Sequence, residues 1–395
     1  MFFVYMLLAR ILGPALYGTF GYTLSSIQII SGVFFDLGLF LIVTKELSVG
    51  NDSIFRPVLL LKVGGCILGS MLLFLLIPIL QFPLILAISL VTWAILNSFT
   101  DFYFCVFRAK NKMHGEAITM ISQRVFLLGM LLLIYAGYVH SSRFSELSVS
   151  GAAFCCSALL GLVVALSLTR LMFPSLVHRK GTRTGMHEVK ALAQKALPLV
   201  GVSFFGFIYY KIDIVLLGIL STSEQVGFYN ASYRIVEASL LIPMIISNTL
   251  YPRLSLSWSN NFEGFCRTLK KAVAVLLLLS VLVVVGIAAL STPMVITLFG
   301  REFQPSAEIL CVLAGTVVMV YPGYLMVQSL VILGKQKEYL YVTISAAVIN
   351  IVLNCFLIPV WQAKGAAAAT IITEASVTGI AAFIIMRHIK SRRQA

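Results

Sequence analysis

The stretch LKKAVAVLLLLSVLVVVGIAAL, Leu269–Leu290, decides the class of fold. Two lysines open it, and from Ala272 onward it holds no charged residue. At a rise of ~1.5 Å per residue, such a run as a helix matches the ~30 Å hydrocarbon core of a bilayer. Similar apolar runs occupy Phe20–Val43, Val58–Leu80, Leu84–Phe107, Ala117–Val139, Val149–Leu171, Ala196–Leu220, Gly227–Tyr251, Glu308–Leu333, Glu338–Val360 and Gly365–Met386. A shorter apolar segment, Met1–Ile11, precedes them and covers roughly half a membrane. It lacks the leading basic residues and small-residue cleavage site of a signal peptide. It reads as the second half of a first helix.

Composition agrees. Of 395 residues, 59% are hydrophobic and 11% are charged, against roughly 25% charged in a soluble domain. No water-soluble fold hides that much apolar surface, so the expectation is an all-α integral membrane protein of about twelve transmembrane helices, the first apparently truncated. The net charge of +14 does not point to nucleic acid, because the basic residues lie between apolar runs without interleaved aromatics. The seven cysteines form no CxxC pair, so neither a disulfide framework nor a zinc site is indicated. The five histidines lie between the apolar runs and show no metal-ligand spacing.

The basic residues set an orientation. Lys45, Arg56 and Lys62, then Arg108, Lys110 and Lys112, then the stretch from Arg170 to Lys195 fall on one side. So do Arg253, Arg267, Lys270 and Lys271, the pair Lys335 and Lys337, and Arg387 to Arg393. The other side holds only Arg10, Arg143, Arg301 and Lys364. Positive charge collects in cytoplasmic loops, so both termini are expected inside.

The chain also repeats itself. ILGPALYGTFGY (Ile11–Tyr22) recurs, with a longer turn, as LLGILSTSEQVGFYNASY (Leu216–Tyr233). Each copy runs through one apolar span and ends at a basic residue followed by Leu-Ser, in TKELS (Thr44–Ser48) and YPRLS (Tyr251–Ser255). An even number of spans separates the copies, which is the pattern of parallel repeats about an axis along the membrane normal. The expected organisation is therefore two six-helix bundles, 1–171 and 196–386. A basic cytoplasmic linker, 172–195, joins them, and a basic tail, 387–395, follows. Such halves suit a transporter that rocks around a central site.

Five stretches in order carry a family resemblance: LARILGPALYG (Leu8–Gly18), KIDIVLLG (Lys211–Gly218) with VGFYNASYRI (Val226–Ile235), LFGREFQPSAEIL (Leu298–Leu310), LGKQKEYL (Leu333–Leu340) and INIVLNCFLIPVWQAKGAAAAT (Ile349–Thr370). In them the chain resembles the polysaccharide flippases, the Wzx-like branch of the multidrug/oligosaccharidyl-lipid/polysaccharide exporter superfamily. The resemblance implies movement of a lipid-linked oligosaccharide, usually on undecaprenyl pyrophosphate, from the inner to the outer leaflet of a prokaryotic cytoplasmic membrane. It further implies coupling to a gradient of H+ or Na+, no other cofactor, and use of the sugar in O-antigen, capsule or exopolysaccharide assembly. Partners would be membrane lipids and the glycosyltransferases and polymerase of the same pathway.

Ionisable residues within spans are costly, at roughly 2.5–3.5 kcal/mol each on insertion scales, and so should face a cavity or a partner. Lys211, Arg234 and Arg124 are candidates to attract a pyrophosphate. Asp213, Asp36 and Glu374 are candidates to bind and release the coupling ion. Asn350 and Asn354, one helical turn apart, with Asn97 and Gln123, are candidates to hydrogen-bond sugar. Blander readings stand beside these. Arg234 and Glu237, three apart, would also neutralise each other, Arg124 would also snorkel, and Asp101 lies where a solvated position serves.

Rival functions are a drug or organic-cation antiporter of the same superfamily, a glycan polymerase or ligase, and an ATP-driven pump. The longest outer loop, about His140–Ser148, is too short for a catalytic site, and no GxxxxGK[ST] loop exists. The chain therefore reads as a transporter and not an enzyme.

Overall fold

A computed structural model describes residues 1–137, 143–174 and 186–394. His140 and His178 lie outside the described residues, as do positions 175–185 of the expected linker and 140–142 of the expected outer loop. The described residues form helices and turns with no strand. In hydrocarbon each backbone N–H and C=O must be satisfied within its own segment, and the helix does this. The helices are α1 (Phe2–Phe34), α2 (Leu39–Ser48), α3 (Phe55–Ile79), α4 (Leu84–Ala109), α5 (Met113–Tyr135) and α6 (Arg143–Met172). They continue with α7 (Met186–Leu220), α8 (Ser223–Ser239), α9 (Leu241–Asn260), α10 (Phe262–Phe299), α11 (Ser306–Ile332) and α12 (Gln336–Gln394).

Among the described residues, 10 helical stretches are long and apolar enough to cross a membrane. The last of them, within α12, is broken at Gln362 (φ 50°, ψ −129°) and so supplies both of the final expected spans. The chain is a multi-pass membrane protein. The end of the expected linker, 186–195, forms the first turns of α7, and 387–394 extend α12. His114, His187 and His388, expected between the apolar runs, lie within helices.

Two expected spans are interrupted, each for a local reason. Phe20–Val43 breaks between α1 and α2, where Leu37 (φ 47°) and Gly38 (φ 62°) both take left-handed backbone. Gly227–Tyr251 breaks at Leu240, three residues before Pro243. Proline has no N–H, so the carbonyl four residues earlier, on Ser239, is left without its helical donor. The Tyr321 hydroxyl takes its place, donating to Ser239 O at 2.9 Å. Asparagine and threonine set the starts of two helices: Thr222 Oγ1 accepts from Gln225 N, and Asn261 Oδ1 from Gly264 N.

The chain forms two compact units. The first comprises Met1, Phe3–Leu12 and Thr19–Lys211, and the second comprises Phe2, Gly13–Gly18 and Ile212–Ala395. Phe154 centres one aromatic cluster of the first unit, with ring centroids 5.2 Å from Phe20, 6.1 Å from Trp93 and 6.4 Å from Tyr5. In the second unit, Phe303 does the same for Phe299 (5.8 Å), Tyr17 (5.9 Å) and Phe228 (6.3 Å).

The two copies of the repeat meet inside the second unit. A Cβ on Gly18 would collide with the Ser223 carbonyl, and a Cβ on Gly227 with the Pro14 carbonyl. Each glycine thus approaches the residue four before the other glycine, which is the reciprocity of a local two-fold. Only glycine allows backbones this close.

Overpacking costs about 1–3 kcal/mol where neighbours cannot yield, and here the neighbours are backbone. Gly18→Ala and Gly227→Ala should each lower the thermal unfolding midpoint in detergent. Gly286→Ala, where no atom lies within 4 Å of the added carbon, should leave it unchanged or raise it, as helix propensity alone dictates.

Candidate functional site

Two buried polar clusters form, one in each unit. The first begins at the break after α1. There Leu39 N bonds to Asp36 O, leaving Phe35 O outside the helical ladder. Two side chains take it: Lys62 Nζ donates at 2.9 Å from α3, and Ser98 Oγ at 3.1 Å from α4. Both also reach Asp36 Oδ1, Ser98 at 3.1 Å and Lys62 at 3.3 Å. Lys62 is 4% exposed. The sequence counts it with the charges of the cytoplasmic side; the structure adds that Lys62 lies on the interior face of α3, where its ammonium neutralises Asp36. The signal available in the sequence was the apolar run Val58–Leu80, which contains it.

Two cavities adjoin this cluster, of ≈ 540 Å³ and ≈ 270 Å³, sharing Asp36, Asp101, Ser203 and Phe207 in their walls. The larger is also lined by Lys211, Asn97, Trp93 and Tyr210. Lys211 Nζ stands 5.2 Å from the Tyr210 ring centroid, within cation–π range. Asn97 Oδ1 accepts from Gln123 Nε2 at 2.9 Å. Gln123 is buried and backs the wall through Asn97. Asp101 is exposed and lines both cavities, which is compatible with a solvated position. Arg124 is half-buried on α5, with Nη1 2.6 Å from Met1 Sδ, and does not line either cavity.

The second cluster surrounds Asp213, 6% exposed on α7. Tyr229 of α8 donates to Oδ2 at 3.1 Å, Thr370 of α12 to Oδ2 at 3.0 Å, and Asn354 Nδ2, also of α12, to Oδ1 at 3.0 Å. The Tyr229 and Thr370 hydroxyls stand 3.2 Å apart. Asn350 and Asn354, expected beside a sugar, are 1% and 0% exposed and converge on this carboxylate. The break at Gln362 brings Asn354 and Thr370, on the two arms of α12, to one point. Sequence reasoning missed Tyr229 and Thr370, although both stand inside stretches that carry the resemblance. Among the described residues no Lys, Arg or His forms an ion pair with Asp213.

The cluster is rich in acceptors. Asn354 Nδ2 has two protons and lies within 3.0 Å of three oxygens: Asp213 Oδ1, Asn350 O and Asn350 Oδ1. The Thr370 hydroxyl has one, shared between Asp213 Oδ2 and Ala366 O. Asn354 Oδ1 is buried and accepts no hydrogen bond. Glu374 is half-buried one turn beyond Thr370. Arg234 bonds Glu237 Oε2 through Nη1 at 2.6 Å, the pairing their spacing allows.

The chain is thus a two-unit helical membrane protein with one interior polar cluster in each unit and cavities beside the first. Its fold is shared with solved membrane-protein structures. An inward-facing multidrug resistance MATE family transporter superposes with a TM-score of 0.72 at 13% identity, over 100% of this chain and 96% of that one. The lipid II flippase MurJ, inward closed, gives 0.74 at 14% identity, over 98% and 84%. At such identities the likeness is one of fold. Residues 1–258 match the family described as polysaccharide biosynthesis protein, and the chain belongs to that family. Among curated relatives, a probable low-salt glycan biosynthesis flippase of Haloferax volcanii is 27% identical over 170 residues, 42% of this chain and 36% of that protein. The probable flippase AglR of the same organism is 27% identical over 169 residues, 42% and 35%. The aligned segments thus span about a third of those relatives.

The first cluster gives an asymmetric expectation. Lys62 is 5% exposed at its side chain and Asp36 39%, so the lysine depends more on its partner. Breaking a buried pair costs ~3–5 kcal/mol, whereas removing both charges is nearly neutral. Asp36→Asn should therefore lower the unfolding midpoint most, Lys62→Met less, and the double variant least.

Proposed function

We propose that the protein flips a lipid-linked oligosaccharide, on a polyprenyl pyrophosphate carrier such as undecaprenyl pyrophosphate, across the cytoplasmic membrane for polysaccharide assembly. Membership of the polysaccharide biosynthesis protein family and likeness to proteins named as flippases support this reading. The observation that carries it is the ≈ 540 Å³ cavity, whose wall includes the cation Lys211, the amide Asn97 and the aromatic rings of Trp93 and Tyr210, beside the carboxylates of Asp36 and Asp101. A phosphate binds to the ammonium by charge-assisted hydrogen bonds. Sugar hydroxyls pair with amides, and ring C–H faces rest on aromatics. Arg234, a pyrophosphate candidate from the sequence, lies in the second unit, pairs with Glu237 and does not line this cavity.

The transport cycle is driven by H+ or Na+ at Asp213. A carboxylate surrounded by neutral groups, with more acceptors than protons, gains most from an added positive charge. An unpaired ion in low dielectric is costly, and a bound cation removes that penalty. Loading and release at Asp213 then shift the balance between conformations by the ion's differential affinity for them. The charge rule supports a cytoplasmic position for both termini, on the side where glycosyltransferases would build the substrate. A polymerase would take it on the far side.

The test is flipping in proteoliposomes, with a fluorescent undecaprenyl-pyrophosphate oligosaccharide and a parallel set of cationic dyes. Movement of the lipid-linked sugar alone is expected. Movement of dyes alone would make this a drug antiporter, a reading that Asp36 and Asp101 in the cavity wall keep in play. Lys211→Ala should slow flipping by about tenfold or more while the protein still inserts. Full activity would remove the pyrophosphate contact. Asp213→Asn should leave residual flipping that no longer responds to an imposed gradient; an unchanged response would move coupling to another carboxylate, with Glu374 next.

A further inference from the structure

At the end of the second unit opposite Lys335, Lys337 and the basic end of α12, a depression of ≈ 340 Å³ opens between the starts of α8 and α11 and the break in α12. By the charge rule this end faces outward. Trp361, 57% exposed, forms one wall. Gln225 and Gln362 contribute amides, and Glu308 Oε2 and Lys364 Nζ, 2.6 Å apart, form an ion pair at the rim.

The turn is what singles this place out. A Cβ on Gly365 would collide with the Leu357 carbonyl, so the arms of α12 are in contact as soon as the chain reverses. The whole reversal therefore falls on Gln362, at φ 50° and ψ −129°. That backbone region is natural to glycine and strained for any other residue. A glutamine held there, with its side chain in the wall of a cavity, is unexplained by the fold alone, since glycine would make the turn more easily. Trp361 alone would be an ordinary interfacial anchor. Together with the strained glutamine, a second amide and a rim of zero net charge, it has the chemistry of a sugar site. An aromatic face takes the C–H side of a pyranose, and planar amides and a carboxylate take its hydroxyls. The volume lies at the lower end of the range for small-ligand sites, ~300–1,000 Å³, which suits sugar rings and not a lipid tail.

We propose that this depression binds an uncharged pyranose, a hexose or N-acetylhexosamine, of the glycan emerging at the outer face. The proposal rests on the flippase reading and adds to it an exit subsite. Because Glu308 already pairs with Lys364, the rim gives the carboxylate of a uronic acid no unpaired cation to offset its desolvation, and the site favours neutral sugars.

The experiment uses the full chain in nanodiscs, titrated with methyl glucoside, methyl N-acetylglucosaminide and methyl glucuronide, and read by saturation-transfer NMR. Saturable binding of a neutral glycoside is expected, at least about fivefold tighter than the glucuronide. Trp361→Leu should weaken it by about tenfold or more. Gln362→Gly relieves the strained turn, so it should fold at least as well as the parent and still bind at least about fivefold more weakly. Absence of saturable binding to either neutral glycoside, or binding by Gln362→Gly equal to the parent, would overturn the proposal. The flipping assay separates the two ideas. Transport without glycoside binding removes the subsite and leaves the flippase, whereas binding without transport of any lipid-linked sugar removes the flippase.

Discussion

The carboxylate of Asp213, buried among neutral groups in a bundle made to sit in hydrocarbon, is the constraint on which the second unit depends. It is only 6% exposed, so hydrogen bonds from α8 and the two arms of α12 do most of the work of solvation. Tyr229, Thr370 and Asn354 supply them. That requirement fixes the rotation of α8 and of both arms of α12 about α7. The break at Gln362 is part of the same arrangement, since without it Asn354 and Thr370 would lie on one long rod and could not both face a single side chain.

The two units solve a similar problem differently. In the first, the interrupted helix frees Phe35 O, and a lysine fills the gap, meeting both the carbonyl and Asp36. The charge there is already balanced. In the second, proline frees Ser239 O and a tyrosine hydroxyl caps it, while Asp213, at a separate point, is given only neutral partners. One unit therefore carries its own cation, whereas the hydrogen-bond partners of Asp213 in the other are all neutral. The asymmetry favours the second unit as the place where an ion's arrival and departure change the energy most.

Much of the fold was legible in the sequence, because the bilayer imposes long uncharged runs that are read directly. The interruptions were less so. The Phe20–Val43 run hides a break that depends on Leu37 and Gly38 together, and Lys62 looked like an anchor because it stands near the start of its apolar segment. Burial depends on which face of α3 meets α4, and no count along the chain contains that. The stretches carrying the family resemblance turn out to have two roles. Leu8–Gly18 and Leu298–Leu310 supply close packing, through Gly18 against Ser223 and Tyr17 against Phe303. Lys211–Gly218, Val226–Ile235 and Ile349–Thr370 supply the Asp213 cluster. Asp213 was visible as a costly charge. Tyr229 and Thr370 were not, because a hydroxyl within an apolar run has many bland explanations and only its partner gives it meaning.

The most direct test of the central claim is charge displacement on a solid-supported membrane, recorded after a rapid jump in H+ or Na+ without glycan substrate. The wild-type protein should give a saturable transient with one of the two ions, and Asp213→Asn should abolish it. The transient should survive in the paired Asp36→Asn, Lys62→Met variant, whose cluster is already neutral. A transient of undiminished size in Asp213→Asn would contradict the account and place the moving ion elsewhere in the molecule.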